Sequence, residues 1–241
     1  MNSFSVTNVG KVRKNNQDSV FRTESKIGNL PNLFIVADGM GGHNGGDTAS
    51  VLCIDSMCEY IKGCTEEKVI PIMEGAIRHA NNAIYEKSLT DPALSGMGTT
   101  VVAAVIDEGV LYVANVGDSR LYYVEGDELR QITEDHSLVE EMVKKGDLDR
   151  DEARFHPNKN IITRALGVGK VIDIDYFELH TDKDGIVLLC SDGLSNMLSD
   201  QEILETINGN KDQADNIARA LVDKANENGG KDNITVIVVL L

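Results

Sequence analysis

The stretch that decides the fold reads Leu33-Phe34-Ile35-Val36-Ala37-Asp38-Gly39-Met40-Gly41-Gly42. Its apolar half predicts a buried strand that stops at Asp38, and the glycines that follow favour a turn that few other residues adopt. Three further apolar runs are also bounded by an aspartate, namely Asp118, Asp192 and Asp232. A single aspartate beside a glycine after a strand is an ordinary hairpin turn. Four aspartates at such positions raise the question of whether their carboxylates converge in the folded chain.

The acidic composition bounds the partners of this chain. Its 241 residues carry a formal net charge of −16, with a pI near 4.6. Such a chain repels polyanions, so we expect no nucleic acid and no anionic membrane as partner, while divalent cations are attracted. Most of this charge also has a plain explanation as a solvated surface that keeps the protein soluble.

The four cysteines, Cys53, Cys58, Cys64 and Cys190, form no C-x-x-C pair, which argues against a zinc site and against a disulfide framework. We interpret them as small buried side chains in a reducing compartment. The first residues lack the basic and apolar regions of a signal peptide, and no apolar stretch approaches the roughly 18 residues of a membrane-spanning helix. We therefore expect a cytoplasmic protein, which we also take to be a monomer.

Apolar runs joined by short turns predict a series of β-hairpins. The turns at Asp107-Glu108-Gly109 and Glu125-Gly126-Asp127 each join two such runs, so the sheet that they build is antiparallel. Two pairs of amphipathic helices interrupt the strands, one pair after Asp38 and one pair after Asp192. Roughly ten strands and two helix pairs predict an α+β fold. Its economical form is a four-layer αββα sandwich, in which two antiparallel β-sheets pack face to face with a helix pair outside each.

Local signals place several boundaries in this scheme. Residues 98–106 are predicted to form a central strand, and residues 173–179 are predicted to form a further strand. Asp47 or Thr48 is the expected N-cap of the first helix, because short polar side chains accept hydrogen bonds from the first free N–H groups of a helix.

Residues 134–160 break the rhythm of strands and helices and predict a small insertion. Ser137 and Glu140 have the spacing of a capping box, which opens a short helix that ends near Lys145 and Gly146. The polar residues that follow offer few apolar side chains for a core. We expect a mobile insertion with little stability of its own.

Several carboxylates at one end of such a sandwich would repel one another by several kcal/mol. They can share protons, pair with cations or bind metal ions. The segments around them contain no cluster of His or Cys ligands, and an all-oxygen site prefers Mg²⁺, Mn²⁺ or Ca²⁺ to zinc. Two such ions about 4 Å apart would activate a water for hydrolysis of a phosphate ester. Arg13, in the polar loop after the first strand, offers a planar fork that suits phosphate oxygens.

Seven short segments, taken in order, resemble those of one enzyme family. They are Gly10-x-x-Arg13-x-x-Asn16-Gln17-Asp18, Val36-Ala37-Asp38-Gly39-Met40-Gly41-Gly42-His43, Gly98-Thr99-Thr100, Asn115-Val116-Gly117-Asp118-Ser119-Arg120, Asp135-His136-Ser137, Ser191-Asp192-Gly193-Leu194 and Asp232-Asn233-Ile234-Thr235. The chain is similar, over nearly its whole length, to the metal-dependent serine/threonine protein phosphatases of the PP2C (PPM) family in their bacterial form. The resemblance implies the same sandwich and a single phosphatase domain over residues 1–241, with the flap at about 137–160.

The resemblance also implies a set of metal ligands. Asp38 would bridge two core Mn²⁺ or Mg²⁺ ions, and the Gly39 carbonyl would bind one of them. Asp192 and Asp232 would complete the core ligands. Asp118, together with Asp192, would hold a third and weaker ion.

The remaining roles and partners follow from the same resemblance. Asp18 would act on a metal through water, and Arg13 would bind the substrate phosphate. The flap would bear on the choice among phosphorylated proteins, and a cognate serine/threonine kinase would add the phosphates. Phosphoserine and phosphothreonine would be hydrolysed by metal-activated water without a phospho-enzyme, which reverses kinase signalling.

Two positions depart from the family pattern. Animal members carry a histidine directly after the Asp-Gly as a proposed general acid, and this chain has Met40 there. His43, three residues further on, is the candidate for protonating the leaving oxygen, although a histidine in a glycine loop can also serve structure alone. Gln17 stands where many members carry glutamate, so its contact with a metal-bound water would be neutral.

Two other functions stay open on the sequence. The segment Asp173-Ile174-Asp175-Tyr176-Phe177 is similar to the D-x-D-x-T signature of phosphatases with an aspartyl nucleophile. It lacks the threonine, and a strand with alternating surface aspartates explains it better. The other alternative is a regulatory protein that binds divalent ions without turnover, but none of the expected ligands is replaced.

Overall fold

The computed structural model describes residues 1–41, 45–211 and 213–241. The strands in these ranges are β1 (Asn2–Asn8), β2 (Asp18–Thr23), β3 (Leu33–Met40), β4 (Gly98–Thr99), β5 (Val101–Asp107), β6 (Val110–Val116), β7 (Arg120–Glu125), β8 (Glu128–Gln131), β9 (Asp175–His180), β10 (Ile186–Cys190) and β11 (Ile234–Leu240). The helices are α1 (Gly45–Gly63), α2 (Val69–Thr90), α3 (Leu138–Lys145), α4 (Arg150–Ala153), α5 (Asp192–Ser195), α6 (Asp200–Asn208) and α7 (Ala214–Glu227), with a 3₁₀ turn at Pro92–Leu94. None of the described helices is both long enough and apolar enough to cross a membrane.

The strands form two antiparallel sheets. One sheet has the order β1-β11-β10-β7-β8, and the other has the order β2-β3-β5-β6-β9, with β4 paired to the end of β3. The first sheet joins strands from opposite ends of the sequence, because Asn2 of β1 pairs with Leu240 of β11. The predicted α+β sandwich with two antiparallel sheets is confirmed.

Strand β3 shows how one apolar run serves two layers. Phe34 and Val36 pack between the two sheets, while Leu33, Ile35 and Ala37 pack against the helices. All five side chains are fully buried. The run is continuously apolar, and not alternating, because both faces of the strand are covered.

A helix pair covers the outer face of each sheet. Helices α1 and α2 bury Met57 and Ile77 against the sheet that contains β3. Helices α6 and α7 cover the other sheet, where Leu221 is fully buried. Helix α6 begins with a capping box, in which Ser199 and Glu202 exchange hydrogen bonds between side chain and backbone.

The prediction of a single strand over residues 98–106 is wrong, because the chain changes partner in the middle of this segment. The N–H of Thr99 donates to the carbonyl of Leu166 at 3.1 Å, while the N–H of Thr100 donates to the carbonyl of Asp38 at 2.9 Å. The segment therefore divides into β4 and β5. The change of partner brings Thr100 against the end of β3, next to the predicted site.

Other predicted boundaries are corrected as well. Strand β3 does not stop at Asp38 but runs on to Met40, because Gly39 and Met40 pair with β4. Helix α1 begins at Gly45, so neither Asp47 nor Thr48 is its N-cap, and Asp47 lies in the first turn, where a negative charge suits the helix dipole. The strand predicted over residues 173–179 begins at Asp175, because pairing with β6 begins there. The short helices α4 and α5 were not predicted, since four residues are too few for a helical period to show.

The flap carries helices α3 and α4. The hydroxyl of Ser137 accepts a hydrogen bond from the N–H of Glu140 at 3.2 Å, and Gly146 ends α3 in the left-handed conformation at φ 77°, both as predicted. The Glu140 carboxylate accepts two hydrogen bonds from Arg150 of α4, at 2.7 and 3.1 Å, instead of completing the predicted capping box. An ion pair that the sequence did not indicate thus joins the two flap helices.

Candidate metal centre

The space between the two sheets changes from apolar to polar at one end of the sandwich. In β3, Val36 lies between the sheets, and the next residue on that face is Asp38. In β11, Ile237 lies between the sheets, and the preceding residue on that face is Thr235. Asp18 of β2 pairs with Asp38, and its Oδ2 accepts a 2.6 Å hydrogen bond from the hydroxyl of Thr235. Polar side chains from both sheets therefore meet where the apolar core ends.

One cavity of about 290 Å³ opens at this end. Six of the eight predicted site residues line it: Arg13, Asp38, Gly39, Asp118, Asp192 and Asp232. The four aspartates that bound apolar runs in the sequence are thus brought to one place. His43, the candidate proton donor, lies outside the described residues.

Asp18 lies beneath this cavity and is only 8% exposed. Its Oδ2 accepts hydrogen bonds from the hydroxyls of Ser191 at 2.8 Å and Thr235 at 2.6 Å. Its Oδ1 is buried and has no hydrogen-bond partner among the described residues. The pKa of Asp18 is raised to about 6: burial raises it most, the hydrogen bonds from the two hydroxyls lower it, and the charge of Asp192 raises it. A buried oxygen without a partner is a ligand position for a cation or for a water that a cation holds.

Burial and neighbouring negative charge raise the pKa of three carboxyl groups in the cavity. At Asp192 the pKa rises to about 6, by burial first and then by the charge of Asp232. At Asp38 and Asp118 the pKa rises well above its ordinary value of 3.8, again by burial first. The next cause is the charge of Asp18 at Asp38, and the charge of Asp192 at Asp118. A bound cation stabilises such carboxylates, because its positive charge lets them all be ionised at the same time.

Gly39 has no room for a side chain. A Cβ at this position would overlap the carbonyl oxygen of Gly46 and would lie 2.6 Å from the carbonyl oxygen of Gln17. A Cβ at Gly46 would in turn lie 2.6 Å from the carbonyl oxygen of Gly39. The two glycines let the first turn of α1 pack directly against the end of β3, which places the Gly39 backbone at the cavity wall.

Arg13 pairs with one of the predicted metal ligands. Its Nη2 lies 2.7 Å from Oδ2 of Asp232, and its side chain is 51% exposed. The other carboxylate oxygen of Asp232 accepts a hydrogen bond from the N–H of Asn233 at 2.8 Å. Within the described ranges, no group of three or more His, Cys, Asp or Glu side chains already has the arrangement of an ion site. A bound cation would therefore compete with Arg13 for Asp232 and draw the other carboxylates toward itself.

The residues present fit hard divalent cations. The ionisable ligands around the cavity are carboxylates, and the carbonyl of Gly39 adds a neutral oxygen at its wall. Mg²⁺ and Mn²⁺ prefer such oxygen ligands and keep some of their waters. Their positive charge would stabilise the ionised forms of Asp38, Asp118 and Asp192, whose pKa values are raised in the absence of a cation.

Comparison with known proteins identifies the family of this chain. The family model of protein phosphatase 2C matches residues 11–232, which include every aspartate of the cavity. This chain belongs to the protein phosphatase 2C family. The resemblance that the sequence motifs indicated is thereby confirmed.

Three relatives illustrate how far the similarity extends. The serine/threonine phosphatase stp of Listeria innocua is 39% identical over 239 residues, which cover 97% of this chain and 93% of stp. The structure of the S. agalactiae serine/threonine phosphatase is 35% identical, with a TM-score of 0.90, and the match covers 99% of this chain and 98% of that one. A structure of the PstP catalytic domain in complex with two manganese ions is 33% identical, with a TM-score of 0.85, and the match covers 98% and 96% of the two chains.

Asn233 is a residue of this protein phosphatase 2C site for which the sequence predicted no role. It is 5% exposed, and its side-chain oxygen accepts a hydrogen bond from the N–H of Gln17 at 2.8 Å. Its amide nitrogen donates to the carbonyls of Val9 and Asn15, both at 3.0 Å. Through these hydrogen bonds, Asn233 holds the loop that contains Arg13 against the start of β11. The available signal was its place beside Asp232 in a family segment, since an asparagine can satisfy three backbone groups at once.

His136 is a second such residue. Its Nδ1 accepts a hydrogen bond from the N–H of Gly117 at 2.9 Å, and its Nε2 lies 3.0 Å from Oδ2 of Asp175. Burial lowers the pKa of His136 from its ordinary value, and the neutral ring fits this arrangement, with Nε2 carrying the proton. Asp175 is also bound by Arg164 at 2.7 Å. These contacts give Asp175 a supporting role behind the Gly117 turn.

The two departures from the family pattern both lie at the cavity. Met40 lines it beside Gly39, and Gln17 lines it as well. The contacts of Gln17 with the site run through its backbone, since its N–H donates to Asn233 at 2.8 Å and its carbonyl accepts from Gly39 at 3.1 Å. A glutamine therefore keeps the backbone contacts that a glutamate would make here.

Proposed function

We propose that this chain hydrolyses phosphoserine and phosphothreonine in proteins, by attack of a water or hydroxide activated at a binuclear Mn²⁺ or Mg²⁺ centre, without a phospho-enzyme intermediate. The observation that carries the proposal is the single cavity lined by Arg13 and the four aspartates. Membership of the protein phosphatase 2C family supports the reaction class. The names of relatives, serine/threonine phosphatase among them, support the substrate class.

The four aspartates of the cavity and Gly39 would then hold the ions. Asp38 would bridge two core ions, Gly39 would offer its carbonyl oxygen, and Asp192 and Asp232 would complete the ligands. Asp118 would join Asp192 at a third, weaker position. When bound, the ions would supply positive charge and lower the pKa of a water toward neutrality. A neighbour solved with two manganese ions supports this number for the core.

Arg13 would bind the phosphate of the substrate. Its guanidinium is half exposed at the cavity and lies 2.7 Å from Asp232, so it can reach a phosphate that enters beside that aspartate. The planar fork of arginine matches two phosphate oxygens at once. Asp18, beneath the cavity, would act through a water, because its Oδ2 is already bound by two hydroxyls.

The leaving oxygen of the substrate also needs a proton donor. Met40 cannot donate a proton, and it lines the cavity where animal members carry a histidine. We keep His43 as the candidate. Its substitution by glutamine should lower kcat for a phosphothreonine peptide, whose leaving alkoxide needs a proton, more than for an aryl phosphate, whose leaving group does not.

The same proposal includes the substrates, the opposing kinase and the oligomeric state of the protein. The substrates would be phosphorylated proteins in the cytoplasm, and a cognate serine/threonine kinase would be the opposing partner. The acidic chain would act as a monomer, away from nucleic acid and membranes. We keep the interpretation that residues 1–241 form one catalytic domain.

The decisive experiment is phosphate release from a phosphothreonine peptide with Mn²⁺. We expect turnover that EDTA abolishes, and a loss of at least about a hundredfold in Asp38→Asn and in Asp192→Asn. Asp223→Asn, at an exposed position on α7, is the matched control and should keep full activity. Activity that survives EDTA would refute the proposal. Calorimetric Mn²⁺ binding without turnover on any phosphopeptide would point to a regulatory protein, and trapping of Asp173 with beryllofluoride would point to an aspartyl nucleophile.

A further inference from the structure

A chain of two hydrogen bonds joins the flap to a predicted metal ligand. The ammonium of Lys159, at the end of the flap, donates to Oδ1 of Asn196 at 2.8 Å. The amide nitrogen of Asn196 donates to Oδ2 of Asp192 at 2.9 Å. Asn196 also follows α5 directly, and its N–H donates to the carbonyl of Asp192 at 2.7 Å. A flap lysine is thus one side chain away from the centre of the site.

The chemistry of the three groups determines which way the Asn196 amide faces. An ammonium can only donate hydrogen bonds, and an ionised carboxylate can only accept them. The amide oxygen of Asn196 must therefore face Lys159, and its NH₂ group must face Asp192. As long as Lys159 is in place, Asn196 presents a donor to the aspartate and offers no oxygen to a cation on that side.

These residues surround a second cavity beside the predicted metal centre. It measures about 580 Å³, and Asp118, Asp192, Asn196 and Lys159 are among its lining residues. Asp118 and Asp192 also line the metal cavity, so the two cavities meet at these carboxylates. Lys159 has no carboxylate within ion-pair distance among the described residues, and its charge faces the Asp192 side of the site.

We propose that Lys159 is a built-in cation that competes with a divalent ion for the Asp118–Asp192 side of the metal centre. Lys159 acts in two ways with the same sign. Its positive charge repels the ion, and its hydrogen bond keeps the Asn196 oxygen turned away from the ligand position. The inference rests on the proposed function, because it takes Asp118 and Asp192 as metal ligands.

The test measures Mn²⁺ binding to the full chain by isothermal titration calorimetry, without substrate. In Lys159→Met we expect the weakest Mn²⁺ ion to bind about three- to fivefold more tightly than in the wild type, the size of a partly exposed charge interaction. Lys159→Arg keeps both the charge and the donor, so its affinity should stay near the wild-type value. Lys145→Met removes the same charge from an exposed position of α3 and should change nothing. Unchanged or weaker Mn²⁺ binding in Lys159→Met would overturn the proposal.

A double variant separates the charge from the amide. In Lys159→Met with Asn196→Leu, the gain in affinity should shrink, because no side-chain oxygen is left to turn toward the ion. A gain that stays complete would overturn the part assigned to Asn196. A wild type that binds no Mn²⁺ would overturn the proposed function itself. A wild type that binds Mn²⁺ and hydrolyses the phosphopeptide, beside an unchanged Lys159→Met, would overturn only the role of Lys159.

Discussion

Removal of the Asp18 charge should stabilise the metal-free protein, although Asp18 lies at the heart of the predicted site. The folded-state pKa of Asp18 is raised from 3.8 to about 6, mainly by burial. The contribution of this group to stability is therefore fully present below pH 3.8, where both states hold the proton, and it is lost as the pH rises through 6. A pKa difference of about two units corresponds to about 3 kcal/mol. Asp18→Asn cannot ionise and should escape this loss.

The hydrogen bonds of Asp18 suit an asparagine. The amide oxygen can accept from the hydroxyls of Ser191 and Thr235 as Oδ2 does now, at 2.8 and 2.6 Å. The NH₂ group takes the place of Oδ1, which has no hydrogen-bond partner among the described residues. The negative charges of Asp192 and Asp232 act on this group, so a neutral amide relieves repulsion in the absence of metal. The same substitution should weaken Mn²⁺ binding, since a donor replaces a ligand atom.

Urea denaturation in EDTA, at pH 4 and at pH 7.5, measures the effect. We expect the free energy of unfolding of Asp18→Asn, relative to the wild type, to increase by about 2 kcal/mol between the two pH values. Asp223→Asn, at an exposed position on α7, should show no such increase. With saturating Mn²⁺ at pH 7.5 the order should reverse, because only the wild type gains the full binding energy. A variant that is equally stable as the wild type at pH 7.5 in EDTA, or less stable, would refute the reasoning.

Two further substitutions address the phosphate contact and the loop that carries it. Arg13→Lys keeps the charge but loses the planar fork that matches two phosphate oxygens. In steady-state kinetics, KM for a phosphothreonine peptide should rise about tenfold, while kcat falls less. An unchanged kcat/KM would contradict a phosphate contact at Arg13. Asn233→Ala leaves the N–H of Gln17 and the carbonyls of Val9 and Asn15 without their hydrogen-bond partner. The free energy of unfolding, measured by urea denaturation, should therefore drop by about 2–4 kcal/mol. A drop below about 1 kcal/mol would show that water replaces these hydrogen bonds.

Much of the fold follows from which residues can be buried. The run from Leu33 to Ala37 is apolar at every position because it lies between a helix layer and a second sheet, and this showed in the sequence. Short turns between runs required antiparallel sheets. Ser137 and Gly146 predicted the two ends of α3, since a helix cap depends on residues only a few positions apart. The sequence was sufficient to predict those strands and helix ends that depend on local contacts or on burial alone.

The boundaries that were wrong depend on distant parts of the chain. The division between β4 and β5 exists because Thr99 and Thr100 bond to different segments, Leu166 and Asp38. No local pattern around residues 98–106 carries that information. The same holds for Glu140, which had the spacing of a capping box and was taken up by Arg150.

For the candidate site, the sequence by itself determined which aspartates stand at the limits of apolar runs, because an apolar run that is buried on both faces ends where a charged side chain begins, even though β3 itself continues to Met40. It did not determine what each side chain meets. The bond from Thr235 to Asp18 joins residues 217 positions apart, and the pair of Arg13 with Asp232 spans 219. The link from Lys159 through Asn196 to Asp192 joins the flap to the core of the site. Only the packing of the two sheets decides such contacts, since hydrogen bonds require atoms to meet within a few tenths of an ångström and sequence periodicity specifies only a face.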